Sequence, residues 1–73
     1  MNYQYVVAKD EETKKVEIIG RFNNGIGEIF RNGGWEHDGF IYRLQMDAFL
    51  ENITEAEAIK LISEQTSQQL QAA

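Results

Sequence analysis

Two Asn-Gly dipeptides, Asn24-Gly25 and Asn32-Gly33, stand eight positions apart and restrict the fold of this chain more than any other feature. Tight two-residue hairpin turns need positive φ at both central residues, and Asn and Gly tolerate it. IGEIFR, residues 26–31, lies between the dipeptides and reads as a strand. KVEIIGRF, 15–22, leads into the first turn, and WEH, 35–37, leaves the second. YQYVVAK, 3–9, is rich in β-branched and aromatic residues and predicts a further strand, joined through the polar loop DEETK. The result is an antiparallel meander of three or four strands.

Alternation assigns the faces. Tyr3, Tyr5 and Val7 share one side of the first strand, and Gln4, Val6 and Ala8 the other. In the second strand Val16, Ile18 and Phe22 oppose Glu17, Ile19 and Arg21, while Gly20 signals a bulge or a close backbone approach. Gly33 and Gly34 are both expected at positive φ in the second turn.

The pattern then changes period. Ile41, Leu44 and Ala48 recur at helical spacing, with Asp38 as an N-cap, so a helix is expected over about 39–47; a strand through FIYRLQM is the competing reading. Thr54 and Glu57 form the T-x-x-E of a capping box, with Ile53 placed to staple against Ala58. Ala58, Leu61 and Ile62 make an apolar stripe, which predicts a helix over 54–66 with fraying from about 67. The fold class expected is α+β, a small antiparallel three- to four-stranded meander followed by a C-terminal helical segment packed on one face. The expected core is Val6 or Val7, Ile18, Ile29, Trp35, Leu44, Leu61 and Ile62.

At 73 residues the chain has mass for one small domain. It contains no cysteine, which excludes disulfides, thiolate metal sites and Cys nucleophiles and leans towards the cytoplasm. The N-terminal residues lack the pattern of a signal peptide, and no apolar run approaches membrane-spanning length, so no membrane partner is expected. Residues 1–35 carry five bases and five acids, whereas residues 36–73 carry two bases and seven acids, so the whole charge of −5 sits in the second half. That half repels phosphate backbones and suits either solubility or a basic protein partner.

The segment IFRNGGWEHDGF, residues 29–40, gathers the only Trp and the only His. Trp35 is either the largest core residue of a small domain or an exposed anchor for a partner. If it is an anchor, the partner-binding residues are Arg31, Trp35, Glu36, His37 and Tyr42. Glu28, Glu36 and Asp38 are of a type to hold a metal ion, but no second His or Cys completes a transition-metal set, so no metal or cofactor is expected. Glu28, Glu36 and His37 are the candidates for acid–base work, yet no catalytic motif surrounds them, and the chain reads as not an enzyme. Tyr3, Tyr5, Phe22 and Phe30, with Lys9, Lys14, Lys15 and Arg21, could stack and hold a single nucleic-acid strand, but acids match those bases one for one and the binding is unlikely on charge grounds. The functional expectation is a non-catalytic, acidic protein-binding or regulatory module. A self-assembling structural domain, with a homo-oligomer as its product, is the alternative, and a single-stranded nucleic-acid binder the third.

Overall fold

The structure, a computed structural model, describes residues 2–72 and the side chains of residues 2–65. Its elements in chain order are β1 (Gln4–Lys9), β2 (Val16–Asn23), β3 (Ile26–Arg31), β4 (Gly34–His37), α1 (Phe40–Met46), β5 (Leu50–Ile53) and α2 (Glu55–Ala72). The fold is α+β. The five strands form one antiparallel sheet in the order β4-β3-β2-β1-β5.

The meander β1–β4 follows from its turns. Asn24 and Gly25 have φ of 54° and 80°, and Asn32 and Gly33 of 54° and 81°, so both turns carry positive φ at both central residues. Gly34, expected at positive φ, instead opens β4. The meander is joined by a strand the sequence reading did not foresee. After β4, α1 carries the chain back across the sheet, and β5 pairs with the outer side of β1.

One face of the sheet packs under α1. Val6, Phe22, Ile29 and Ile41 form its buried core, with Ile18, Tyr42 and Leu50 packed against them. Two glycines permit this. A Cβ at Gly20 or Gly27 would lie 2.5 Å from a side-chain atom of Ile41, so the helix rests directly on β2 and β3. FIYRLQM is therefore helical despite its strand propensity, because Ile41 is completely buried in the glycine-floored gap. Asp38 helps start this helix by accepting the Phe40 N–H at 2.9 Å, although Gly39 occupies the N-cap position itself.

The other face packs under α2, which lies on β1 and β2. Val7, Ile19 and Ala58 are buried there. The capping box is formed: Thr54 Oγ1 accepts the Glu57 N–H at 3.1 Å, and Glu57 Oε1 accepts the Thr54 N–H at 3.3 Å. The helix runs beyond the expected residue 66; the fraying expected from about 67 concerns side chains outside the described residues. A bulge corrects one face assignment. Ala8 pairs with Ile18 but Lys9 pairs with Val16, which leaves Glu17 extra and turns Val16 towards Leu61 and α2, away from Ile18. The core is also redistributed. Ile19, Phe22 and Ile41 are buried although absent from the expected core, and Ala58 is buried on the stripe expected to meet the sheet, whereas Ile18, Trp35, Leu44, Leu61 and Ile62 are half-buried. Among the described residues no helix is long and apolar enough to cross a membrane.

Candidate functional site

The five residues expected to form one binding surface are divided between the faces of the sheet. Glu36 pairs with Ile29, and Trp35 with Phe30, so strand alternation sends Glu36 to the α1 face and Trp35 to the opposite one. Arg31, on the side of Glu36, bonds the Asp38 carboxylate through Nη2 and lies 3.5 Å from Glu36 through Nε. Tyr42 is committed internally. Its hydroxyl accepts the Gly27 N–H at 2.7 Å, just beyond the last β3–β4 pair, Glu28–His37, and lies 3.4 Å from His37 Nε2. The Phe40 N–H, followed by the Arg31 guanidinium, holds the Asp38 carboxyl below its ordinary value. These contacts fasten the start of α1 to the end of β4. Glu28 is separated from Glu36 and Asp38 by its own pairing with Arg21, and among the described residues no group of three or more His, Asp or Glu is placed to hold a metal ion.

Trp35 belongs to a second cluster, on the α2 face of the sheet, built by residues of β1, β2, β3 and β4 and by Tyr3 just before β1. The Arg21 guanidinium sits 4.0 Å from the Tyr3 ring centre and 4.2 Å from that of Trp35, while its Nε bonds Glu28 at 2.7 Å. Tyr5 and Phe30 flank the indole at 6.1 and 5.3 Å between ring centres. All six residues are half-buried. The guanidinium fills the space between Tyr3 and Trp35 that a nucleobase would need for stacking.

The third feature joins segments far apart in the chain. Phe40 and Leu44, one helical turn apart on α1, and Phe49, just beyond it, stand around a floor of Ala8 and Ile18. The groove they enclose has a volume of about 440 Å³. Phe40 and Phe49 remain 49% and 50% exposed, too open to be core residues. The β1–β2 rim of the groove is lined by Asp10, Glu11, Glu12 and Glu17 together with Lys9, and Lys14 joins Asp10, Glu11 and Phe49 in the adjoining hollow.

Local chemistry fixes both walls. The Asp10 carboxylate accepts the N–H groups of Glu12 and Thr13, each at 2.8 Å, which sets the hairpin loop and holds the Asp10 carboxyl below its ordinary value, the Thr13 bond first. On the other wall, the Phe49 N–H bonds the Leu44 carbonyl at 3.0 Å and the Ala48 N–H that of Gln45 at 3.2 Å, with Ala48 at φ 60°. That is the Schellman pattern, and it customarily brings the residue after the left-handed position against the helix three to four residues before its end, here Phe49 against Leu44. The sequence reading missed this groove, and no local motif announces it, because its walls lie far apart in the chain. No family model, curated protein or solved structure matches this chain.

Proposed function

We propose that this chain is a non-catalytic protein-binding module and that its docking site is the groove between α1 and the β1–β2 hairpin. The observation that carries this reading is the half-exposure of Phe40 and Phe49 above an apolar floor, held in place by two hydrogen-bonded turns. Apolar side chains kept in water around a concave surface are what a partner's buried anchor needs. The absence of cysteine favours a cytoplasmic setting for a domain this small.

Photo-crosslinking tests the site. A photoreactive residue at position 49 should join the chain to a partner protein in its native cell, and the adduct should vanish when Phe40 is changed to Ser. Position 26, at least as exposed but at the start of β3, should give no such adduct. Equal adducts from both positions would place binding elsewhere.

Self-assembly is the second reading, favoured by the outer edges of β4 and β5, which carry no further strand among the described residues. Each edge strand is only four residues long, a length that limits strand addition. Sedimentation velocity decides it: a concentration-dependent dimer supports self-assembly, and a monomer at high concentration removes it.

A further inference from the structure

We infer that the groove takes a cationic amphipathic segment of another protein, with an apolar anchor seated between Phe40, Leu44 and Phe49 and Lys or Arg side chains against the hairpin rim. This rests on the proposed docking site and adds the chemistry of its occupant. The lining holds four carboxylates against one ammonium, a local charge of −3. The single ammonium is already engaged, since Lys9 Nζ lies 3.1 Å from Glu51. Among the described residues Glu11, Glu12 and Glu17 form no ion pair, in contrast to Glu28, Glu36 and Glu51. The rim is also built: Asp10 Oδ1 accepts two backbone N–H groups of the loop, which sets the turn that carries Glu11 and Glu12 beside the groove. Acids in low-dielectric walls focus potential and draw cations.

The alternatives to this occupant fit poorly. A second copy of the chain brings a net charge of −5 to an acidic rim. Nucleic acid and anionic lipid are repelled by the same carboxylates. The neighbouring groove beneath α2 makes a useful contrast, because Glu57 and Glu64 share its lining with Lys9 and Lys60 and leave it without a sign preference.

Selection from a random linear-peptide library on the immobilised full chain tests the inference, with counter-selection on Phe49→Ser. Circular dichroism must first show the variant folded; Phe40→Ser is the second variant should it fail. Peptides that depend on the groove should carry Lys or Arg flanking one or two large apolar residues. For a synthesised winner, the joint change Glu11→Gln, Glu12→Gln and Glu17→Gln should weaken binding about tenfold, and a rise from about 0.05 to about 0.5 M salt should do the same. Groove-dependent peptides that are neutral or acidic would overturn the cationic partner and leave the docking site standing. Peptides that bind both variants as well as the native chain, or a selection that yields none, would overturn the docking site and this inference together. Binding that responds to the Gln changes but not to either Phe change would be charge attraction without a site, and would also overturn both.

Discussion

Ile41 and the two glycines beneath it set the distance between α1 and the sheet. At Gly20 the atom a methyl would strike is Ile41 Cδ1; at Gly27 it is Ile41 Cγ2, with the Phe22 ring 2.9 Å away. Ile41 has no room to retreat, being completely buried. Gly20→Ala and Gly27→Ala should therefore each cost about 1–3 kcal/mol, the usual range for overpacking. The two should part company in a double-mutant cycle with Ile41→Val. Valine lacks Cδ1 but keeps Cγ2, so it should relieve the Gly20→Ala clash and leave that of Gly27→Ala in place. Urea midpoints read the coupling; equal coupling for both pairs would contradict the geometry. Gly33 presents the opposite case. Nothing lies within 4 Å of the Cβ it lacks, so Gly33→Val should destabilise through its positive φ alone.

At the level of elements, the end of α1 explains both what was legible in the sequence and what was not. Strands β1–β3 and helix α2 are announced locally, by alternation, by Asn-Gly turns and by the Thr54–Glu57 box. Thr54→Ala should accordingly cost about 1 kcal/mol, read as a lowered urea midpoint. The stop of α1 is not announced, because the left-handed position that glycine usually fills holds Ala48. Ala48→Gly should relieve that conformation and stabilise the protein by about 0.5–1 kcal/mol after the entropy of the freer unfolded chain is set against it; a destabilised variant would argue against the Schellman geometry. β5 was hidden for a related reason. Leu50 pairs beside Ala8 and Ile53 beside Tyr5, so its two apolar residues serve opposite faces and leave no period-two stripe. The groove was illegible because its parts, residues 8–18 and 40–49, are distant in the chain and meet only in the folded sheet. The Arg21 cluster likewise needs the cross-strand register, which placed Trp35 beside Arg21 instead of Arg31. Two loops also carry a pH signature. Asp10 and Asp38 have folded-state values depressed below the ordinary 3.8, so their stabilisation is fully present above that value and is lost as pH falls through the lower, folded one. Acid unfolding should thus steepen below about pH 4, and Asp10→Asn with Asp38→Asn should flatten that limb of the stability curve; an unaltered acid limb in the double variant would deny these carboxylates the role.

Across the whole molecule, one sheet serves two cores. Ile41 lies on the α1 side and Trp35 on the other, and the strands between them supply Val6, Phe22 and Ile29 to one layer and Val7 and Ile19 to the other. Neither helix has a private core, since every apolar layer in the molecule uses residues of β1 and β2. Small single domains as a rule unfold in one step. Ile41→Ala removes the central side chain of the α1 layer and should cost about 2–5 kcal/mol. Trp35 reports on the far layer, where Arg21, Tyr5 and Phe30 surround it. In the native chain and in Ile41→Ala alike, the fluorescence transition of Trp35 and the circular-dichroism transition of the backbone should coincide, with both midpoints lowered together in the variant. A Trp35 transition that stays at its native midpoint while the dichroism moves would mean that the α2 layer stands without the α1 layer. The groove between α1 and the hairpin could then open independently of the rest, and its two walls would no longer be held at a fixed separation by the sheet beneath them.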